Sequence, residues 1–207
     1  MTTSRKALPM NLVELTAVAQ GALPLAAFRE HLRLGSGFSD DDLQDDLLAT
    51  YLRAALAAIE ARTGKILIER DFAWTVTAWR DPARQPVPVA PLSAVGEITL
   101  IDAKGVETVR TEGFTFAADA QRPALVPTGA VLPSIPHKGA ARMTLLAGYG
   151  PDFTDLPSDL AQAVLMLAAH FYEYRHEVAM APHAMPYGVS ALIDRYRTVR
   201  LMIGGQA

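Results

Sequence analysis

The stretch Leu156–Arg175, LPSDLAQAVLMLAAHFYEYR, carries the longest uninterrupted helical pattern in the chain. Its apolar residues recur at spacings of four, three, four and three, which places them on one face of a helix. These residues are Leu160, Val164, Leu167, Phe171 and Tyr174. The opposite side is apolar as well, so we predict a core helix that is buried on most sides. The charged residues Asp159, Glu173 and Arg175 interrupt it, so it does not predict a membrane span.

Composition places the chain of 207 residues among globular proteins of one domain, or of one domain carrying an insertion. The 19 Lys and Arg residues nearly balance 22 Asp and Glu residues, which argues against a protein held on nucleic acid by broad charge complementarity. No cysteine is present, which excludes disulfides, thiolate metal sites and cysteine nucleophiles. The N-terminal residues lack the apolar core of a signal peptide, so we expect a cytoplasmic, reducing environment.

Two more helices are predicted on the N-terminal side of the core helix. The first covers residues 24–34. The second begins at Ser39, whose side chain is a good N-cap, and acidic residues follow in its first turn. It runs to about residue 62, where Gly64 is expected to end it as the C′ residue. Its many alanines are expected to let the core helix approach closely.

Between residues 65 and 148 the apolar period changes from helical to two, which predicts short strands. The proline-rich run 81–91 predicts a connector or a sheet edge, because proline cannot serve a central strand. The tetrapeptide Asp102–Gly105 predicts a hairpin turn. A short strand is expected at residues 131–132, and a last strand at residues 142–147.

These elements predict an α+β fold, a mainly α-helical bundle with an inserted small antiparallel β region. The helical connector core with a C-terminal arm is expected at residues 25–64 and 149–203. The β insertion is expected at residues 65–148. A short helix at about residues 190–202 would form the end of the arm.

No complete catalytic motif is present, so we predict no enzymatic activity, no cofactor and no required metal. A di-iron carboxylate site needs two Glu-x-x-His pairs, and the chain has one, Glu173 with His176. The consecutive acids at residues 40–42 do not follow the pattern of a calcium loop. Residues 63–65 lack the first glycine of a phosphate-binding loop. The alternative is a small metal-binding helical protein or enzyme that uses His170, Glu173 and His176.

Four stretches together resemble the head–tail connector (adaptor) proteins of long-tailed bacteriophages and gene transfer agents. They are SDDDLQDDLLATYLRAALAAIEARTGK (39–65), PVAPLSAVGEI (88–98), LLAGYGPDFTDLPSDLAQAVLMLAAHFYEYRH (145–176) and PYGVSALIDRYR (186–197). The third and fourth stretches are the more specific ones. The family is associated with DNA packaging.

The resemblance implies a ring, usually of twelve copies, that sits beneath the portal protein at the capsid vertex. Neighbouring copies, the portal protein and a downstream neck or stopper protein would be its partners. DNA would pass through the channel without sequence-specific binding, and no membrane would be involved. The helical core, residues 26–62 and 157–175, would form the ring wall. The protein would be part of a virion or phage-like particle and would assemble in the host cytoplasm.

The resemblance also implies that the C-terminal segment, Pro186–Arg200, reaches the portal protein. Its apolar residues beside arginines have the composition of an interface. The expected portal-binding residues are Tyr187, Leu192, Ile193, Arg195, Tyr196, Arg197 and Arg200. The other possibility is that this segment packs back on the bundle as a fourth helix.

Overall fold

The computed structural model describes residues 10–34, 41–175 and 185–197. The chain divides into two compact units. The sheet unit, in its described part, consists of residues 10–18 and 68–151. The helical unit consists of residues 19–34, 41–67, 152–175 and 185–197. The chain therefore leaves the helical unit once, forms most of the sheet unit, and returns.

The described residues of the sheet unit form eight strands. These are β1 (Met10–Glu14), β2 (Arg70–Val76), β3 (Gln85–Pro86), β4 (Leu92–Ile101), β5 (Glu107–Arg110), β6 (Phe114–Ala117), β7 (Ala124–Pro127) and β8 (Ala140–Ala147). A five-stranded sheet has the order β1-β2-β8-β4-β5, and a three-stranded sheet has the order β3-β7-β6. All strand pairs in both sheets are antiparallel. The sequence prediction that prolines restrict residues 81–91 to a connector or edge is confirmed, because β3 is an outer strand.

The core of the sheet unit lies on one face of the larger sheet. Side chains alternate between buried and half-buried along β2, which is the period of two that the sequence shows. Trp74 on β2 lies opposite Met143 on β8, and Met143 lies opposite Ile98 on β4. All three are almost completely buried. Burying one such side chain stabilises a fold by roughly 1.5–3 kcal/mol.

The helical unit contains α1 (Leu25–His31), α2 (Asp41–Thr63), α3 (Ser158–Glu173) and α4 (Tyr187–Ile193) among its described residues. Helices α2 and α3 pack against each other, and Tyr51 meets Tyr172 edge to face with ring centroids 5.9 Å apart. Arg29 on α1 forms an ion pair with Asp45 on α2 at 2.7 Å. The helices in the described part of the chain are too short or too polar to cross a membrane.

The predicted mainly helical bundle with a small β region is wrong. The structure is 35% helical and 28% strand, with eight strands in two antiparallel sheets. The β1 strand precedes the first helix in the chain. Its sequence alone is a weak strand signal, and the strand forms because it pairs with β2. In addition, α1 and α4 have only seven residues each. Single short strands give weak sequence signals, so the summed size of the sheets was underestimated.

Several local predictions are confirmed. Helix α3 matches the predicted core helix, with its buried face formed around Leu160, Val164 and Leu167, but Tyr174 at the end of the predicted face is exposed. Gly64 has a positive φ of 69°, and its N–H donates to the carbonyl oxygen of Glu60 at the end of α2. The Asp102 carboxylate accepts hydrogen bonds from the backbone N–H of Lys104 within the predicted hairpin turn and from that of Val106 directly after it. Ser39, the predicted N-cap of α2, lies outside the described residues.

Two local predictions are wrong. Residues 131–132 form no strand, because the N–H of Leu132 donates to the carbonyl oxygen of Pro82 in a neighbouring loop. The prediction that the alanines of α2 let the core helix approach closely is wrong for those that face solvent. Ala55 is buried, whereas Ala54, Ala57 and Ala61 are exposed.

The chain enters and leaves the sheet unit at adjacent positions. Ile68 forms a parallel bridge with Gly150, and the N–H of Glu69 donates to the Gly150 carbonyl oxygen at 2.8 Å. Gly148 has a positive φ of 146°, and a Cβ atom placed there would lie 2.3 Å from the Cα of Glu69. Any side chain at position 148 would therefore strain the backbone and collide with main-chain atoms.

We expect Gly148→Ala to lower the free energy of unfolding by at least about 2 kcal/mol, because the strained φ and the backbone collision add together. Gly129→Ala is the matched control, since a Cβ atom there meets nothing within 4 Å and the expected change is within about 0.5 kcal/mol. Urea unfolding of both variants measures the difference. Equal stability of the two variants would show that the close approach at Gly148 is not required.

Candidate interface at the C-terminal segment

The structure separates the expected portal-binding residues into two groups. Tyr187 has 89% of its surface exposed, and Arg195 and Arg197 are exposed as well. Ile193 and Tyr196 are buried, and Leu192 is half-buried. Arg200 lies outside the described residues. The set expected from the sequence is therefore not one continuous exposed surface.

The buried residues face the segment's own helical unit. Pro186 precedes α4 in an extended conformation, which suits the start of a helix. Val189 and Ile193, four residues apart, form the buried side of α4, which packs on α3. At Gly188 the backbone comes close to α3, because a Cβ atom there would lie 3.0 Å from the Cε of Met166. Residues 187–193 thus form a fourth helix on the unit, and a short 3-10 turn follows at Asp194–Tyr196.

Three side chains, Asp159, Arg195 and Tyr196, join the end of this segment to the start of α3; we name them the Asp159 clasp. The Tyr196 hydroxyl donates a hydrogen bond to Oδ1 of Asp159 at 2.6 Å. The Arg195 Nε forms an ion pair with Oδ2 of the same carboxylate at 2.8 Å. Both carboxylate oxygens are therefore used by residues that follow α4.

The Asp159 carboxylate is held in place by its own helix. The backbone N–H of Leu160 donates to Asp159 Oδ1 at 2.9 Å, and the position in the first turn of α3 places the negative charge at the positive end of the helix dipole. Burial raises the pKa of the Tyr196 hydroxyl above its ordinary value of 10.0, and the hydrogen bond to Asp159 raises it further. Arg195 acts in the opposite direction. The clasp is thus a charge-assisted structural contact with a neutral tyrosine.

Sequence reasoning missed the role of Asp159. Its position in the first helical turn predicts only an interaction with the helix dipole, and the structure adds the contact with Tyr196. The two residues are 37 positions apart in the chain. No helical or strand spacing relates them, so no local pattern could have connected them.

The residues of the alternative metal site are not brought together as a described cluster. The ring of His170 is half-buried and lies 4.6 Å from the ring of Tyr174. Glu173 is exposed at the end of α3, and His176 lies outside the described residues. Among residues 10–34, 41–175 and 185–197, no three His, Cys, Asp or Glu side chains are placed to hold a metal ion.

Three solved structures are similar to this chain. A chain in the neck of an empty gene transfer agent particle, computed with C6 symmetry, is 50% identical with a TM-score of 0.85, and the match covers 94% of this chain and 98% of that one. A chain in the neck of the native particle, computed with C12 symmetry, is 47% identical with a TM-score of 0.81 and the same coverage. A chain in the virion of a native gene transfer agent particle is 50% identical with a TM-score of 0.82, covering 93% of this chain and 98% of that one.

No protein-family model and no curated protein matches the chain. The three structures give no support to the alternative of a metal-binding enzyme. About half of the residues are identical over nearly the whole length of both chains, and the folds agree. The chain therefore belongs to the family of gene transfer agent neck proteins, which is the head–tail connector (adaptor) family that its sequence resembles.

Proposed function

We propose that this chain is a structural connector subunit in the neck of a phage-like particle, where it joins the portal vertex of the capsid to the next neck or tail protein. The observation that carries the proposal is the 47–50% identity to chains in the neck and virion of gene transfer agent particles. No catalytic step, cofactor or metal is part of this role. Assembly in the host cytoplasm would precede its location in the particle.

A ring of identical copies, twelve in number, would be the assembled form. Similar chains occur in necks computed with C6 and C12 symmetry. A cyclic ring of more than two copies requires heterologous contacts, in which two different surfaces of each subunit meet. We assign the ring wall to the helical core, residues 26–62 and 157–175, and leave the β insertion, residues 65–148, as an addition to that core.

DNA would pass through the ring without being held by it. The formal net charge of the chain is −3. Binding of the phosphate backbone depends on lysine and arginine contacts that release counterions. A subunit with a small negative charge suits a channel through which DNA must slide.

Contact with the portal protein is assigned to the exposed part of the C-terminal segment. Tyr187 is the most exposed of the large apolar and aromatic side chains whose burial is described, and tyrosine and arginine are the residue types that most often dominate binding energy at interfaces. Arg195 and Arg197, in and after the turn that follows α4, are exposed as well, and Arg200 stays in the proposed set by its sequence position alone. Ile193 and Tyr196 would act indirectly, by holding α4 on α3.

Electron microscopy of the neck of the parent particle tests the assembled form. We expect a ring of twelve copies of this chain between the portal protein and the next neck protein. Density for this chain elsewhere in the particle, or a neck without it, would contradict the proposed function.

We expect Tyr187→Ala to leave folding unchanged and to weaken binding to the portal protein. Removing a central aromatic contact costs about 2 kcal/mol, which corresponds to about thirtyfold weaker binding. The measurements are thermal unfolding of the purified variant, its binding to isolated portal protein, and the fraction of particles that carry tails. Tyr174→Ala is the control, because Tyr174 is also an exposed tyrosine of the helical unit. Normal binding by Tyr187→Ala would remove this residue from the interface.

In solution we expect the purified chain to be a monomer or a weak oligomer that forms its ring on the portal protein. The nearly balanced charge and the absence of a heptad pattern give no sign of strong self-association. Analytical ultracentrifugation at low micromolar concentration measures this. A closed ring that is stable without portal protein would show that assembly needs no template.

A further inference from the structure

We infer that the Asp159 clasp is a positioning element for partner binding, since it holds α4 in the one orientation that presents Tyr187 to the portal protein. The inference rests on the proposed function, because it takes the C-terminal segment as the portal contact. It goes beyond the proposed function by naming residues that would control the portal contact without touching the partner. It assigns to Asp159 and Tyr196, neither of which would touch the partner, control over the residue that does.

Helix α4 is too short to fix its own orientation. It has seven residues, and isolated helices shorter than about 12–15 residues are marginal in water. Its buried side consists of Val189 and Ile193, and the ring of Tyr196 follows in the next turn. Apolar contacts favour burial of this side, but they are not directional. A short helix that is held only by apolar contacts can rotate about its axis, so polar contacts are needed to fix its orientation.

The Asp159 clasp fixes the rotation of α4 by polar contacts. The hydrogen bond from Tyr196 and the ion pair from Arg195 end on the two different oxygens of one carboxylate. Charge-assisted hydrogen bonds are shorter and stronger than neutral ones and fix geometry as well as distance. The Arg195 guanidinium also lies over the Tyr196 ring, 4.7 Å from its centroid. The Leu160 N–H also donates to Oδ1 of Asp159, so a contact within α3 helps to hold the acceptor of the Tyr196 hydroxyl.

The side of α4 opposite to its buried residues is exposed. Tyr187, Ala191 and Asp194 are exposed and recur at spacings of four and three, which is one helical face. This face is fixed whenever the other side is fixed, because both belong to one short rigid element. Orienting Tyr187 before binding lowers the entropy cost of association. The clasp should therefore affect binding more than it affects the stability of the α2–α3 core.

The test compares Tyr196→Phe with Tyr172→Phe. The first removes the hydroxyl that donates to Asp159 and accepts a hydrogen bond from Arg195. The second is the matched control on α3, because no hydrogen bond links the Tyr172 hydroxyl to another described side chain. We expect Tyr196→Phe to speed hydrogen exchange of the α4 backbone amides and to weaken binding to isolated portal protein about tenfold, since a hydrogen bond to a charged group is lost. Tyr172→Phe should change neither quantity.

The variant Asp159→Asn provides a second test, because it should weaken portal binding to an intermediate extent. The amide can still accept a hydrogen bond from Tyr196, but it loses the ion pair with Arg195. We expect its binding to the portal protein to lie between that of the natural chain and that of Tyr196→Phe. If the clasp had only a structural role, thermal stability would fall from the natural chain to Asp159→Asn to Tyr196→Phe, while all three folded proteins would bind the portal protein equally well. That result would overturn the inference.

The remaining outcomes separate the inference from the proposed function. If Tyr187→Ala loses portal binding while Tyr196→Phe binds normally, the clasp does not position the contact and the proposed function stands. If Tyr196→Phe speeds exchange of α4 but both variants bind normally, the C-terminal segment is not the portal contact and the assignment of that contact fails. Weaker binding by Tyr196→Phe without faster exchange would mean that Tyr196 acts in some other way, and the inference would be wrong.

The alkaline limit of the clasp can be measured independently of any partner. Asp159 on α3 and Arg195 both contact the Tyr196 hydroxyl, and the pKa of this group is raised above 10.0 in the folded chain. The folded state then favours the neutral hydroxyl. The stabilisation is therefore fully present below about pH 10 and is lost as the pH rises through the raised value.

We expect the difference in melting temperature between the natural chain and Tyr196→Phe to be constant below about pH 9 and to shrink above about pH 10. Subtracting the variant removes the contribution of the other tyrosines. A difference that stays constant up to about pH 11 would show that burial and the hydrogen bond to Asp159 do not hold the Tyr196 hydroxyl in its neutral form.

Discussion

The sheet unit depends on the close approach of two backbone segments where the chain enters and leaves it. Glu69 and Gly150 share a hydrogen bond, and the missing side chain of Gly148 leaves room for the backbone of Glu69. The strands β2 and β8 extend from this point, so their register is set from Arg70 opposite Ala147 onward. That register places Trp74 on Met143 in the core. A slip by one residue would turn the buried side of β2 toward solvent.

The C-terminal segment shows that one composition can serve two purposes. Aromatic, aliphatic and arginine residues close together are typical of an interface, and three of these residues here form an interface within the chain. Ile193 and Tyr196 pack on the helical unit, and Arg195 is tied to Asp159. The exposed remainder, led by Tyr187, is presented on a helix whose position is already determined. An intramolecular interface of this kind can prepare an intermolecular one.

The function of a connector lies in surfaces and in their repetition around a ring, and it needs no cluster of reactive groups. Such a protein needs no complete catalytic motif, and the single Glu-x-x-His pair of this chain, Glu173 with His176, is not one. The order and spacing of four long stretches was instead the informative signal. One of those stretches contains the buried residues of α3 and the turn that leads into it. Packing constrains the buried residues, and chain geometry constrains the turn.

The sequence by itself determined the long helices α2 and α3, the turn at Asp102–Gly105 and the family, because periodicity, glycine positions and turn residues are local properties of a chain. It did not determine the size of the β portion. The pairing of Met10–Glu14 with β2 and the register of five strands depend on contacts between residues far apart in the chain. The link from Asp159 to Tyr196 was likewise decided only by tertiary structure. A carboxylate at the start of a helix looks the same in sequence whether it meets water or a tyrosine, and only the docking of α4 on α3 brings the two side chains within hydrogen-bonding distance.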